Sequence, residues 1–125
     1  MLTDTTFWLD LQRERQAGEL GPTHRFLALH RAFDLRISTI TWGELAPGFP
    51  SPFALDHWLR RIHVVRLHRN IAWEASRIER ELILLGGRLG ENDNWIAATA
   101  RHWRWPLVSR DASFRRVPRL RVVTY

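Results

Sequence analysis

Hydrophobic positions recur along the chain with two periods, one near about 3.6 residues and one of about 2, the signatures of helix and strand. Ile71, Ala75, Ile78, Leu82 and Leu85 step by 4, 3, 4 and 3 residues, which puts all five on one helical face. A helix is therefore expected over residues 70–85, ended by Gly86-Gly87, since glycine accepts the left-handed conformation that closes a helix. Pro22 opens another helix, in which Phe26, Leu29 and Phe33 form one buried face. A helix over residues 93–103 buries Ile96, Ala100 and Trp103, and one over residues 5–16 stops near Gly18. Shorter helices are expected from Thr41 to Pro47-Gly48 and over residues 52–61. Arg36–Ile40 alternates and is β-branched, so it predicts a strand. Further strands fall at Ile62–Leu67, Pro106–Ser109 and Leu120–Tyr125, and Met1-Leu2-Thr3 reads as the end of one entering Asp4. Strands alternating with helices imply an α/β fold with a mainly parallel sheet and helices on both faces.

With 125 residues and no internal repeat or linker, residues 1–125 are expected to form a single domain. Hydrophobic residues at 45% and charged residues at 26% match a soluble globular chain and exclude a disordered tail or a collagen-like repeat. No apolar run approaches the roughly 20 residues needed to span a bilayer, so no membrane association is expected. Asp4 stands where a secretory signal would carry base, and cysteine is absent, which removes disulfides, thiolate metal sites and a cysteine nucleophile. A cytoplasmic location is expected. The formal charge is +6 and every basic residue is arginine. Residues 1–59 hold 5 arginines against 7 acids, whereas residues 60–125 hold 14 against 6. Such a basic half is a footprint for nucleic acid, a solvated face or a dock for an acidic protein.

In parallel sheets the functional site lies beyond the carboxyl ends of the strands. Asp4 follows the first strand, Asp111 follows Pro106–Ser109, Glu44 lies in the helix after Arg36–Ile40, and Asp93 begins a helix. All four can converge on one sheet edge. Each also has an ordinary structural reading: Asp4 and Asp93 as helix caps, Thr41-Trp42-Gly43-Glu44 as a capping box, and Asp111 as a turn residue. Four carboxylates brought together repel and raise one another's pKa. A hard, oxygen-liganded cation, Mg²⁺ or Mn²⁺, relieves that repulsion.

The same residues carry a resemblance. Leu2-Thr3-Asp4-Thr5-Thr6-Phe7, Ile37-Ser38-Thr39-Ile40-Thr41-Trp42-Gly43-Glu44-Leu45 and Asn92-Asp93-Asn94-Trp95-Ile96-Ala97-Ala98-Thr99-Ala100 occur in order. They are followed by Pro106-Leu107-Val108-Ser109-Arg110-Asp111-Ala112-Ser113-Phe114-Arg115-Arg116-Val117-Pro118-Arg119-Leu120 and by Val122-Val123-Thr124-Tyr125. The chain resembles, over its whole length, the PIN-domain ribonucleases, specifically VapC-type toxins of toxin–antitoxin pairs. The Asn-Asp-x-x-Ile-Ala-Ala-x-Ala segment is its most specific part. The resemblance implies a PIN-like α/β/α sandwich, a divalent-metal-dependent endoribonuclease, an RNA substrate, a cognate antitoxin and frequent homodimers. The family's acidic positions map onto Asp4, Glu44, Asp93 and Asp111. Where the family often has asparagine or serine two residues after the first acid, this chain has Thr6, whose hydroxyl keeps the capacity to hydrogen-bond.

The expected chemistry is phosphodiester hydrolysis. Asp4 and Asp93 ligate Mg²⁺ or Mn²⁺, Glu44 and Asp111 complete the acidic shell, and Thr5 and Ser109 orient carboxylates or water. Arg110, Arg115 and Arg116 are expected to hold RNA phosphates, within an arginine-rich stretch from Arg101 to Arg121. Trp103 and Trp105, beside Arg101 and Arg104, are the best base-stacking candidates among seven tryptophans. The competing expectation is a non-catalytic RNA- or protein-binding module whose acids only cap helices; a metal nuclease acting on structured DNA is a second. Gly86-Gly87-Arg88-Leu89-Gly90 lacks the Gly-Lys-Ser/Thr ending of a phosphate loop. His57, His63 and His68 match no helical metal pair.

Overall fold

The computed structural model describes residues 1–125. Strands β1 (Leu2–Thr3), β2 (Arg36–Ser38), β3 (His63–Val65), β4 (Leu107–Val108) and β5 (Val122–Val123) form one sheet in the order β3-β2-β1-β4-β5. Every neighbouring pair is parallel, so all carboxyl ends leave the same edge. Helices α1 (Thr5–Ala17), α2 (Pro22–Leu29), α3 (Thr39–Leu45), α4 (Pro52–Trp58), α5 (Arg69–Leu84) and α6 (Glu91–His102) connect the strands. The chain moves outward from β1 through β2 to β3, then returns to the opposite side of β1 as β4. This reversal opens a crevice between β1 and β4, the place where sites form in such sheets.

Alternation along even these short strands separates two cores. Leu2 and Leu107 face α5 and α6, joining Ile71, Ile78, Leu82 and Ile96. Val108 and Ile37 face the other way, joining Phe7, Trp8, Leu11, Phe26 and Leu55. Adjacent residues on opposite faces are the mark of extended backbone, and the result is an α/β/α sandwich. Ala97, Ala98 and Ala100 are fully buried in α6, where small side chains let the helix lie close to α5. The Asn94 amide fixes that contact by donating to the Ala75 carbonyl at 3.0 Å.

Several sequence expectations are corrected. Leu29 and Phe33 are 80% and 57% exposed. The helix ends at Leu29, and the ring of His30, stacked on Phe26 at 4.0 Å, occupies the inner position instead. Leu85 and Trp103 are likewise exposed, each at the capping position just past the last helical turn, where the buried stripe no longer applies. The strand expected to reach Ile40 stops at Ser38, whose hydroxyl accepts from the Thr41 N–H at 3.1 Å and starts α3 early. That cap also displaces the expected capping box, leaving Glu44 free for another partner. Asp93 is not a cap either, since Gly90 precedes α6. No helix is long and apolar enough to cross a membrane.

Candidate active site

The β1–β4 crevice collects the four acids. Asp4 is the first residue after β1 and is 2% exposed. One of its carboxylate oxygens accepts from the Phe7 N–H at 2.9 Å, capping α1. The other accepts from the Ser109 hydroxyl at 2.5 Å, at the end of β4. Ser109 in turn accepts from the Asp111 N–H at 3.0 Å, and Asp111 closes a turn by accepting from the Ser113 N–H at 2.8 Å. Glu44 is held on both oxygens: the Thr5 hydroxyl donates to one, and the Asn92 amide donates to the other at 2.8 Å. These bonds tie β1, α1, α3, α6 and the end of β4 into one locus. Asp93, in the first turn of α6, is half-buried and has no hydrogen-bond donor in the protein.

The carboxylates feel one another. Burial pushes the Asp4 carboxyl up from 3.8 to about 6, opposed by the hydrogen bonds from Ser109 and Phe7 and reinforced by the negative charges of Asp93 and Asp111. Asp93 is also raised, first by burial and then by Asp111 and Glu44. None of the protein's ion pairs involves any of the four, although the chain carries a net charge of +6 and its only basic residues besides histidine are arginines. A charge cluster of one sign, left uncompensated by abundant arginine, has the donor chemistry of a hard-cation site. No three His, Asp or Glu side chains close into a ready-made cage.

The sequence reading therefore named Asp4, Thr5, Glu44, Asp93, Ser109 and Asp111, and the fold brings them together. It overlooked Asn92 as the second anchor of Glu44, although Asn92 directly precedes Asp93 in the segment already singled out. The arginines are placed differently from one another. Arg110 bonds Asp10 at 3.1 Å, Arg115 donates to the Thr124 hydroxyl at 2.9 Å, and Arg116 donates to the Arg88 carbonyl at 3.0 Å; all three are exposed. Arg101 leaves the expected RNA-tracking stretch altogether: it is buried between Glu74 and Glu81. Trp105 is stacked on Trp103 at 5.5 Å with the Arg36 guanidinium 4.3 Å from its ring centroid, so its ring is already engaged.

The PIN domain family profile matches residues 1–120: the chain belongs to the PIN domain family. Its fold is that of VapBC2 from Rickettsia felis, solved bound to a promoter DNA fragment, with a TM-score of 0.82 at 21% identity over 98% of this chain and 96% of that one. It is shared with DNA-bound VapBC from Salmonella typhimurium, with a TM-score of 0.81 at 21% identity over 98% and 96% of the two chains. VapBC-1 from nontypeable Haemophilus influenzae has a TM-score of 0.78 at 23% identity over the same shares. No curated protein matches the sequence.

Proposed function

We propose that this PIN-domain protein is a divalent-metal-dependent endoribonuclease, acting in the cytoplasm as the toxin of a toxin–antitoxin pair. One observation carries the reading. Asp93 is half-buried among Asp4, Glu44 and Asp111, accepts no hydrogen bond from the protein, and is raised first by burial and then by Asp111 and Glu44, with no arginine paired to it. A carboxylate in that position caps no helix and closes no turn, and is well suited to a cation.

Asp4 and Asp93 would hold Mg²⁺ or Mn²⁺, with Glu44 and Asp111 completing the oxygen shell directly or through water. The bound ion would lower the pKa of water and offset charge developing on the scissile phosphate. Ser109 and the Phe7 N–H hold Asp4 in one orientation while leaving each carboxylate oxygen a further lone pair. Thr5 and Asn92 do the same for Glu44. Asp93 sits at the positive end of α6, which favours its ionised form and partly counters the burial that raises its pKa. Arg115 and Arg116 are bonded only to neutral groups, so their charge is available to RNA phosphates; Arg110, adjacent to Ser109 and Asp111, lies nearest the acids in sequence.

The matched folds come from proteins described as VapBC and other toxin–antitoxin complexes, which supports an antitoxin as partner. Exposed Leu29, Phe33, Phe53, Leu84 and Leu85 supply apolar surface for an antitoxin or a second copy in a homodimer. The reading as a non-catalytic module has its own support, because Asp4 and Asp111 do cap and close turns. Titration with Mn²⁺ separates the two: saturable binding lost in Asp93→Asn is expected of the nuclease, and no binding by the wild-type protein would leave the module.

A further inference from the structure

At the opposite edge of the sheet, the amino ends of β4 and β5 border a pocket of about 540 Å³. The residues preceding these strands place it there: Trp105 stands just before β4 and Arg121 just before β5, with the Leu107 N–H donating to the Arg121 carbonyl at 2.9 Å. Its walls are Arg77, Arg101, Arg104, Arg119 and Arg121, with Glu74 and the ring of Trp105. The volume is that of a small-molecule pocket, roughly 300–1,000 Å³, but the lining is cationic rather than apolar.

Two carboxylates, Glu74 and Glu81, answer three of these five guanidinium groups. Glu74 bonds Arg101 at 2.5 Å and Arg77 at 3.3 Å, and Glu81 bonds Arg101 and Arg119, each at 2.6 Å. Arg104 and Arg121 are exposed and pair with no acid. Arg101 is the built part of the pocket. Its side chain is 4% exposed and fixed by Glu74, Glu81 and the Pro118 carbonyl, yet its Nη2 is buried without any hydrogen-bond partner. That nitrogen is out of reach of solvent, so the unpaired cations a ligand in the pocket can touch are Arg104 and Arg121.

Arg104 and Arg119, at φ 55° and 60°, are the only non-glycine residues in the left-handed region. Arg104 takes the position that ends α6, which glycine ordinarily fills. A cation beside the last turn also complements the helix dipole, which accounts for one arginine and not for five.

We propose that this pocket is a second ligand site, separate from the acids, that binds phosphate oxyanions through the planar forks of Arg104 and Arg121 beside the fixed charge of Arg101. Guanidinium forks match phosphate oxygens bidentately, and several cations around one cavity favour a chain of phosphates over a single one. A free polyphosphate and the backbone of single-stranded RNA share this chemistry.

The test is calorimetric titration of the full-length protein with inorganic triphosphate in EDTA at low salt. Saturable binding is expected in wild type and in Asp93→Asn, and a loss of at least tenfold in affinity in Arg104→Gln/Arg121→Gln. Those two side chains hold nothing else in the fold, so an unchanged melting temperature is expected of the double variant; if it melts lower, each single variant is titrated instead and should lose affinity on its own. A 2′-O-methyl RNA that displaces triphosphate identifies the backbone of RNA as the source, and one that does not identifies a free polyphosphate. Absence of binding by wild type, equal binding by the Arg104 and Arg121 variants, or binding of oligo-glutamate in place of triphosphate would each overturn the proposal.

Discussion

At the scale of the residue, Asp4 and Glu14 show how the same buried carboxylate acquires opposite character. Asp4 is raised to about 6 by burial and acidic neighbours. A raised carboxyl has its full stability below the ordinary value of 3.8 and loses it as pH climbs through about 6. That shift corresponds to about 3 kcal/mol against folding at neutral pH. Asp4→Asn removes the charge and keeps the acceptor for the Phe7 N–H, while its amide nitrogen would donate to the Ser109 hydroxyl in place of accepting from it. Without metal it should therefore melt higher than wild type above pH 6, by a margin that shrinks towards pH 4, in paired thermal scans. With Mn²⁺ only the wild type should gain further stability. Equal melting of the two at pH 7.5 would remove the electrostatic account of Asp4. The identity of these acids was legible in sequence because Asp4 and Asp111 follow strands, Asp93 lies at the start of a helix and Glu44 lies in the helix that follows β2. Their division of labour was not: Asp4 and Asp111 also cap or close turns, whereas Asp93 has no such duty, and only the fold distinguishes them. Asn92 escaped notice because its partner, Glu44, is distant in sequence.

At the scale of the element, α2 is capped from α1. Gly21 offers no side chain, and Glu14 reaches across to accept from the Thr23 N–H at 3.0 Å, the Thr23 hydroxyl at 2.5 Å and the His24 N–H at 3.1 Å. Burial pushes the Glu14 carboxyl up, but these hydrogen bonds and that of the His24 ring outweigh it and hold it at about 2. The sign is the reverse of Asp4: the stability is present above the ordinary 4.5 and is lost as pH falls through about 2. Glu14→Gln should cost about 2–3 kcal/mol at pH 7 in urea unfolding, with the difference closing near pH 2. A Cβ on Gly21 would fall 2.4 Å from the Glu14 carboxyl, so Gly21→Ala should lose most of the same energy by displacing the cap. An unaffected Gly21→Ala would contradict it. Such a cap crosses between helices and has no local signature in the sequence. The stepped face of α5 was legible because four of its five residues, Ile71, Ala75, Ile78 and Leu82, are buried as the period requires. Strands of two or three residues were placed correctly but drawn too long, since so short an alternation gives no end of its own.

At the scale of the whole molecule, the protein has an acidic pole at the carboxyl ends of the strands and an arginine-lined pole at their amino ends. The α/β/α arrangement followed from strand–helix alternation, whereas the strand order that creates the β1–β4 crevice came from pairing between distant segments. If Arg115 and Arg116 track RNA, binding should weaken with salt by roughly 0.7 log units per log unit for each phosphate neutralised. Arg115→Gln/Arg116→Gln should flatten that slope and leave turnover at saturating RNA; an unchanged slope would assign these residues to the partner instead. A homodimer should appear in light scattering, and a strict monomer at high concentration would remove that proposal without touching the chemistry. The central claim is that four carboxylates that pair with no arginine form a metal-dependent RNA-cleaving centre. Its most direct test is cleavage of single-stranded RNA by wild type and by Asp93→Asn, first in EDTA and then with Mg²⁺ or Mn²⁺. Cleavage only by the wild type, and only with metal, is the expected result. Undiminished cleavage by a correctly folded Asp93→Asn, or cleavage that persists in EDTA, would contradict the account.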